Sequence, residues 1–375
     1  MPYWRLSGFY FFYFASLGAL LPYWSLYLAS QHYDARQIGS LMAIMMLTKV
    51  VSPIVWGWIS DHTGRRATVI RFGSFAAIIC FTAVFVASSF WWLALVMALY
   101  SFFWNATLPQ FEATTFTHLG EKAHLYARIR LWGSIGFIVS VGVLGGGIDK
   151  LGIEHLPWVV LSLFISIWLF SLWVPERDGP AHSVDHPNIW GVLKQAPVLA
   201  LLAVCLLMQL SHGPYYTFYT IYLEENGFSH VVIGVLWAIG VIAELVIFIF
   251  MQALIERIGL RKLLLSSLLI AALRWFLIGH FVDYWPVLVL AQVFHAASFG
   301  IYHATAIQFV NRYFVGKNQG RGQALYSSVS FGLGGAVGSY LSGISWLQSD
   351  GTTLTFNMSV AACVLAFFIG ARWLR

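Results

Sequence analysis

The sequence predicts an all-α membrane protein with twelve transmembrane helices, arranged as two pseudo-symmetric six-helix bundles. Apolar segments of about 20 residues recur along the whole chain. Lys and Arg concentrate in alternate breaks between these segments, and the opening part of the chain recurs in its second half. The composition agrees, with 59% hydrophobic residues, 10% charged residues and a mean hydropathy of +0.75. Because a soluble domain carries about 25% charged residues, this composition excludes one.

Twelve apolar spans divide the chain into two equal sets. We place them at 5–29, 37–59, 67–88, 90–114, 127–148, 156–174, 195–223, 231–254, 263–282, 286–310, 322–346 and 352–372. Residues 1–174 are the predicted N-terminal half, 175–197 a polar cytoplasmic linker and 198–375 the C-terminal half. The first span has no A-x-A-like cleavage site, so we interpret it as a transmembrane helix rather than a removed signal peptide.

The Lys and Arg residues predict the orientation of the spans. With the N-terminus in the cytoplasm, only Arg36 and Lys150 fall in breaks on the opposite side, and most of the 21 basic residues lie in cytoplasmic breaks. The positive-inside rule therefore places both termini in the cytoplasm. The short loops favour the bacterial inner membrane as the location of this multi-pass protein.

The opening part of the chain recurs with a constant offset of 195 residues. Gly18 maps onto Gly213, Ile38–Gly39 onto Ile233–Gly234 and Gly64 onto Gly259. Single identities between apolar helices arise easily by chance, whereas a constant offset across two helices and a turn does not. Two related halves in parallel orientation are typical of secondary transporters, which place one site between the halves.

A charged turn joins the second and third spans and contains Gly57, Asp61, Gly64, Arg65 and Arg66. Gly64 permits a sharp reversal, and we expect Asp61 to accept hydrogen bonds from backbone amides of the next helix. The second half repeats the pattern, with Glu256 ahead of the basic Arg261. We interpret both turns as cytoplasmic control points between helices rather than as binding sites.

Five charged side chains fall inside or at the edge of spans, namely Lys49, Glu112, Arg130, Glu244 and Arg274. A charge in hydrocarbon costs about 3 kcal/mol on insertion scales, so each needs a partner or a wet cavity. The repeat maps Lys49 onto Glu244, which predicts a gate or a coupled pair between the halves. A static ion pair is the alternative. Glu112 and Arg130 have another alternative, because each can extend to the cytoplasmic surface.

Glu244 is the predicted proton carrier, because it lies well inside its span. Burial favours its neutral form and a nearby Lys49 or Arg274 favours its charged form, and a carboxyl balanced in this way can carry a proton. His295 and Arg274 are the other predicted proton-coupling residues. His303 lies eight residues after His295 on roughly the same helix face. The alternative for both histidines is a hydrogen-bonded packing role.

The same charges and the aromatic residues predict the substrate class. Three of the five charges are positive, which favours an anionic substrate, or a neutral one once a carboxyl is protonated. The predicted substrate-binding residues include Glu112, Arg130, Lys49 and His303. Aromatic residues of the first and seventh spans offer stacking and hydroxyl contacts to a ring, and they include Tyr23, Trp24, Tyr27, Tyr215 and Tyr219. The alternative for most of these is packing or the interfacial aromatic belt.

Motifs of other protein classes do not occur in the sequence. We find no G-x-x-x-x-G-K-[ST] phosphate loop, no H-E-x-x-H and no G-x-S-x-G, which argues against direct ATP drive and against an enzyme. His182 and His186 in the linker lack a completing ligand set, so no metal or other cofactor is expected. The basic residues form no stripe, so no nucleic-acid partner is expected. A membrane receptor without transport activity is a remote alternative.

The turn GWISDHTGRR matches the helix 2–3 signature of the major facilitator superfamily, with His62 where a basic residue is usual. The chain resembles this family over its full length, and more narrowly its phenylpropionate permease branch, which is related to lactose permease-type proton symporters. The segments that carry the narrower resemblance are LPYWSLYL (21–28), RLWGS (130–134), IGVIAELVIF (239–248), LRWFLIG (273–279) and QVFHAASFGIYHA (292–304).

The resemblance implies roles for particular residues. Glu112 and Arg130 match the substrate-binding acid and base of lactose-type permeases, and Glu244, Arg274 and His295 match their substrate and proton-coupling groups. There are two departures from that pattern. Phe137, which we include among the substrate-binding residues, stands in place of a sugar-stacking tryptophan, and Ser298 stands in place of the principal proton-carrying glutamate.

The predicted function is therefore proton-coupled symport of a small organic solute into the cell by alternating access. An aromatic carboxylate such as a phenylpropionate is the preferred substrate, and a sugar or nucleoside is the alternative. The expected partners are the small-molecule substrate, protons and the lipid bilayer, and the expected oligomeric state is a monomer.

Overall fold

The computed structural model describes residues 2–86, 89–176 and 189–374. Over these ranges every regular element is helical. Hydrocarbon offers no hydrogen-bonding partners, so an apolar segment that crosses it must satisfy its backbone groups internally, as a helix does.

Each of the twelve predicted spans corresponds to a helical segment, numbered α1 to α12. The continuous helices are α1 Tyr3–Ser30, α2 Ala35–Thr63, α3 Arg66–Thr82, α4 Phe90–Leu119, α5 Tyr126–Leu151, α6 Leu156–Trp173, α8 His230–Ile258, α9 Leu260–His280 and α12 Gly351–Trp373. The interrupted ones are α7 (Ala196–Ser211, Gly213–Glu225), α10 (Trp285–Val293, Ala296–Ile301, Tyr302–Tyr313) and α11 (Gln319–Ser327, Ser328–Gly334, Gly335–Ser345). The predicted all-α fold is confirmed.

Ten helical runs in the described part of the chain are long and apolar enough to cross a membrane. The number is lower than twelve for two reasons. The run Phe90–Leu151 contains both α4 and α5, and α11 is not among the ten because its many Gly and Ser residues lower its hydropathy. Several helices extend past their predicted spans, as when α4 continues to Leu119.

The chain forms two compact units. The first unit comprises Met1–Tyr33, Leu47–Val184 and Ser229–Gly234, and the second comprises Asp34–Met46, Asp185–Phe228 and Val235–Arg375. The first unit thus includes the first turn of α8, and the second includes the first part of α2. Residues 177–188 of the predicted linker lie outside the described residues, as do His182 and His186, and a short helix follows at Trp190–Leu193.

In the first unit, α1 packs against α5 and α6, and α3 packs against α4. Gly136 allows the close approach of α5 to α1, because a Cβ atom at this position would collide with the carbonyl oxygen of Phe11. Tyr13 of α1 and Trp104 of α4 stack with their ring centroids 5.0 Å apart. This packing fixes the face of α1 that lies beside Arg130.

In the second unit, α9 packs against α10 and α12. The middle segment of α10, Ala296–Ile301, is a π-helix, and so is the middle segment of α11, Ser328–Gly334. Gly300 in the first of these leaves room for α8, since a Cβ atom there would lie 3.3 Å from Cγ of Glu244. π-Helical turns occur frequently at functional sites, and the one in α10 lies beside Glu244 and Arg274.

Candidate functional site

Arg274 of α9 is fully buried and is held by four hydrogen bonds. Its Nε donates to the carbonyl oxygen of Ala291 at 2.9 Å, and its Nη2 donates to Oε1 of Gln292 at 3.3 Å. Its Nη1 donates to Nδ1 of His295 and to Oγ of Ser298, both at 3.1 Å. Four of the five guanidinium N–H groups are thus used, so the position of this cation is fixed.

All four acceptors around Arg274 are neutral. Within the described residues, no carboxylate lies within ion-pair distance of its guanidinium. The guanidinium carbon lies 4.3 Å from the ring centroid of Tyr215 and 4.5 Å from that of Trp275. Aromatic faces and acceptor dipoles therefore stabilise this charge without a counter-ion. The second unit consequently holds a fixed, buried positive charge.

His295 connects Arg274 to Glu244. Because a guanidinium can only donate, Nδ1 of His295 must accept, and the proton of the neutral imidazole is therefore on Nε2. Nε2 lies 3.7 Å from Oε2 of Glu244. The carboxyl of Glu244 thus faces an N–H group whose orientation Arg274 determines. The three predicted proton-coupling residues are brought together in one array of the second unit, and Lys49 belongs to the first unit.

Gln292 joins two of the predicted substrate-binding tyrosines to this array. The hydroxyl of Tyr215 donates to Oε1 of Gln292 at 2.9 Å, and Nε2 of Gln292 donates to the hydroxyl of Tyr219 at 2.7 Å. All three residues are buried. Sequence reasoning missed Gln292, because a single uncharged residue in an apolar span gives no local indication that its side chain bonds to three other residues.

His303 lies at the far end of a column of three rings on α10. The rings of His295 and Phe299 have an interplanar angle of 15°, and those of Phe299 and His303 have one of 13°. In an α-helix, residues four apart are rotated by slightly more than a full turn. The wider turn of the π-helical segment offsets this rotation and brings the three rings into line. Nδ1 of His303 lies 2.9 Å from the hydroxyl of Tyr326 on α11. His303 therefore shares the face of His295, as predicted.

Glu112 and Arg130 lie near each other in the first unit but are not tightly paired. The hydroxyl of Tyr126 donates to Oε1 of Glu112 at 3.3 Å. The guanidinium carbon of Arg130 lies 3.8 Å from the ring centroid of Phe14 and 5.9 Å from that of Tyr10. In the described part of the chain, Glu112 and Arg130 are not within 4.0 Å of each other. Both side chains are half-buried, so each retains capacity for a further contact.

Lys49 makes no hydrogen bond or ion pair with any residue in the described ranges. It is half-buried near the middle of α2. Its neighbour Thr48 is fully engaged, donating to Oγ of Ser101 and accepting from Nδ2 of Asn105, both at 3.0 Å. An ammonium without a partner inside a membrane span is costly. Lys49 is therefore a group that an anion would stabilise.

Four other predicted substrate-binding residues have packing contacts in the first unit. The hydroxyl of Tyr23 donates to the carbonyl oxygen of Val141 at 2.8 Å. Trp24 is fully buried, with its ring against Tyr27 and Phe81. The backbone of Phe137 lies against Gly18. The structure does not bring these four residues into contact with Glu112 or Arg130.

In the charged turn, the residue that accepts from the first amides of α3 is not the one expected. Gly64 has a φ of +68°, which favours glycine. Asp61 is 62% exposed and lies 3.4 Å from Nη2 of Arg66, whereas Oε1 of Glu176 accepts from the amide of Ala67 at 3.0 Å. The expectation for Asp61 is therefore wrong, because an acid from the end of α6 satisfies the start of α3. Gly57 and Arg65 complete this turn.

The second turn keeps the glycine and the charges but not the contacts of the first. Gly259 has a φ of +87°. Oε1 of Glu256 accepts from Nε2 of Gln252 at 3.0 Å, and Nη2 of Arg261 donates to the carbonyl oxygen of Ala371 at 2.6 Å. The repeat therefore preserves the reversal of the chain, while each turn has its own hydrogen bonds.

Comparison with known proteins supports a transporter. The model of the MFS_1 like family matches residues 3–358. The probable 3-phenylpropionic acid transporter of Escherichia coli (strain K12) is 27% identical over 333 residues, which cover 88% of this chain and 87% of that protein. The maltose permease of Geobacillus stearothermophilus is 26% identical over 378 residues, covering 97% of this chain and 93% of that protein. The crystal structure of the nucleoside transporter NupG has a TM-score of 0.87 at 17% identity, covering 99% of this chain and 98% of its own.

The family match extends over nearly the whole chain, and the solved structure shares the fold. The matched relatives are membrane transporters, which confirms the prediction of a transporter rather than an enzyme. The resemblance to the major facilitator superfamily is confirmed as well. The chain belongs to the MFS_1 like family of multi-pass membrane transporters.

Proposed function

We propose that the protein is a proton-coupled symporter that imports a small aromatic carboxylate, such as a phenylpropionate, by alternating access. The array of Glu244, His295 and Arg274 is the observation that carries this proposal. It combines a buried acid, which can bind and release a proton, with a cation that remains charged. A transporter driven only by its solute gradient has no need of such an acid.

Each member of the array has a distinct role in the proposed cycle. Arg274 fixes the imidazole of His295 and thereby directs its Nε2–H towards Glu244. A proton that binds to Glu244 removes one buried negative charge, and its release restores that charge. Ser298 stands at the position where lactose-type permeases have a second acid, and its hydroxyl accepts a hydrogen bond from Arg274. Glu244 is therefore the residue that we assign as the proton carrier.

The first unit supplies the proposed substrate contacts. Lys49 has no partner among the described residues, and Arg130 is held mainly by the face of Phe14. Each can bind a carboxylate without first breaking an ion pair. A carboxylate bound to Lys49 offsets one buried positive charge, and a proton on Glu244 removes one buried negative charge. Because buried charge is costly, the form with both ligands bound is favoured to cross between conformations.

The names of relatives support the choice of an aryl acid. The E. coli relative is described as a probable 3-phenylpropionic acid transporter. The first unit also offers rings beside the charges, since Phe14 and Tyr10 adjoin Arg130 and Tyr13 stacks on Trp104. A substrate that combines a ring with a carboxylate matches this combination of groups.

Uptake into proteoliposomes under an imposed pH gradient tests the proposal. The purified protein should accumulate an aryl acid when the outside is acidic, and a proton ionophore should abolish the accumulation. The panel should contain phenylpropionate, its neutral amide, a disaccharide and a nucleoside. Uptake that is indifferent to the gradient for every solute contradicts proton symport.

Sugar or nucleoside transport is the second candidate function. The maltose permease relative and the fold shared with the nucleoside transporter NupG favour it. In the site itself, the carboxylate of Glu112 can accept hydrogen bonds from substrate hydroxyls, with Tyr126 as its neighbour. In the same uptake experiment, accumulation of the sugar or nucleoside but not of the aryl acid would favour this candidate over the first.

We further propose that both termini face the cytoplasm of a bacterial inner membrane and that a monomer suffices for transport. The distribution of basic residues between alternate breaks supports this orientation. In a background without the three native cysteines, R36C should react with an impermeant maleimide in intact cells and R257C should not. The reverse labelling pattern contradicts the orientation, and activity of protein that sediments only as a dimer contradicts the monomer.

A further inference from the structure

Asp149, in the last turn of α5, accepts two backbone hydrogen bonds from the first turn of α8. Its Oδ1 accepts from the amide of His230 and its Oδ2 from the amide of Val231, both at 3.1 Å. Its Oδ1 also lies 2.6 Å from Nδ1 of His230. The first amides of a helix have no partners inside the helix and carry its positive dipole end. A carboxylate from another helix therefore binds the start of α8 in a favourable position.

The remaining amides of this turn are satisfied locally. The side chain of Ser229 accepts from the amide of Val232 at 3.4 Å, and its carbonyl oxygen accepts from Ile233 at 3.0 Å. Ser229 is thus the N-cap of α8, and Asp149 provides further hydrogen bonds to the same turn from another helix.

Two glycines bring the backbones of α5 and α8 close together. A Cβ atom at Gly145 would collide with the carbonyl oxygen of His230, and one at Gly234 would collide with that of Val141. Val141, Gly145 and Asp149 are four residues apart in succession, so they lie along one face of α5. The carboxylate contact is therefore the end of a continuous interface within the first unit, defined by Ser229–Gly234 and this α5 face. We call it the α5–α8 contact.

The repeat provides an equivalent contact that lacks the carboxylate. Gly39 corresponds to Gly234, and a Cβ atom at Gly39 would lie 2.7 Å from the carbonyl oxygen of Ser339 and 2.8 Å from Cα of Gly343 in α11. Asp34 corresponds to Ser229, and its Oδ1 accepts from the amide of Gln37 in its own helix at 2.8 Å. The α2–α11 contact is therefore made by backbone packing, whereas the α5–α8 contact is also held by a charge.

We propose that Asp149 is a positioning residue of the transport cycle, which holds the first turn of α8 and through this helix sets the position of Glu244. This inference rests on the proposed function. Helix α8 is continuous from His230 to Ile258 and carries Glu244 in its middle. Movement of α8 away from α5 breaks all contacts of the carboxylate at once. If the termini are cytoplasmic, Asp149 lies at the outer end of α5, and its loss favours the conformation that is open to the outside.

Hydrogen exchange and uptake kinetics of three variants test this proposal. D149N removes the charge with little change in shape, and G145A obstructs the same contact without changing any charge. G147A is the matched control, since a Cβ atom there meets nothing within 4 Å. Exchange of the amides in 226–234 should accelerate at least tenfold in D149N and G145A and should match the wild type in G147A. D149E, which keeps the charge, should recover part of the protection.

Uptake kinetics separate positioning from a loss of folded protein. A smaller folded fraction lowers Vmax alone, whereas a larger outward-open population also lowers the KM for external substrate, by about threefold if that population triples. D149N and G145A should lower KM, and G147A should not. Wild-type exchange rates in both variants overturn the proposal, as does faster exchange with an unchanged KM. If D149N does not fold, the comparison of G145A with G147A decides. Absence of uptake by the wild-type protein contradicts the proposed function instead, because the exchange measurement needs no substrate.

Discussion

The two units differ in how the cations inside their membrane spans are held. In the second unit, Arg274 is fully buried, makes four hydrogen bonds and lies against two aromatic rings. In the first unit, Lys49 has no partner in the described ranges and Arg130 mainly contacts the ring of Phe14. A saturated cation can orient its neighbours but has little capacity left for a ligand. An unsaturated one is destabilising until a ligand binds. This difference is the reason for assigning proton coupling to the array of the second unit and substrate binding to the cations of the first unit.

The largest effect that this comparison predicts is a loss of stability in the variant R274A. Removal of this side chain takes one hydrogen-bond donor away from each of its four buried acceptors and leaves a cavity behind. The free energy of unfolding should fall by about 3 kcal/mol or more. Thermal unfolding in detergent measures it, with R128A, at an exposed position of α5, as the control. A melting temperature equal to that of R128A would show that the cation is not structurally integrated.

The second prediction is the opposite response of K49Q. Because Lys49 has no described partner, its neutralisation should leave the free energy of unfolding unchanged or raise it slightly. Affinity for the aryl carboxylate should fall about tenfold, equivalent to about 1.4 kcal/mol, and affinity for its neutral amide should not. Competition for uptake measures both affinities. Equal losses for the acid and the amide contradict an anion-binding role.

A third, smaller effect is expected for R130K. Lysine keeps the charge but loses the planar group that stacks on Phe14, so substrate affinity should fall by about 1 kcal/mol, or roughly fivefold. R130A should cost more than R130K, and this ordering is measured by the KM for the acid. Equal KM values for the two variants would mean that the charge makes no contribution.

The smallest effect is expected for Y126F, which removes one hydrogen bond to Glu112. A single hydrogen bond contributes about 1 kcal/mol, so KM should rise at most a few-fold and the melting temperature should change little. Y340F, on the surface of α11, is the control. A loss of all uptake in Y126F would assign the hydroxyl a larger role than positioning Glu112.

Sequence patterns predicted the fold because its determinants are local or periodic. Span length identifies the twelve helical segments without any knowledge of contacts, and the 195-residue offset predicts two related halves. They also identify the charged residues inside spans, since such residues are rare and costly. The neighbourhood of Glu244, His295 and Arg274 followed from the family resemblance rather than from these patterns.

The contacts that the sequence did not predict all join residues distant in the chain. Gln292 bonds to Tyr215 and Tyr219 across about 75 positions, and Asp149 reaches His230 across 81. Neither residue stands out in its own segment. The tyrosine and tryptophan residues of α1 show the converse problem, since Tyr23 and Trp24 look like ligand contacts by composition but are buried in packing within the first unit.

The most direct test of the account is a comparison of E244Q with E121Q, which changes an exposed acid in the connection between α4 and α5. In proteoliposomes, E244Q should lose accumulation driven by a pH gradient but retain exchange of labelled for unlabelled substrate, because the substrate site is intact and only the proton carrier is gone. E121Q should retain both activities. Gradient-driven accumulation by E244Q at the level of E121Q would contradict the assignment of Glu244 and with it the role of the whole array.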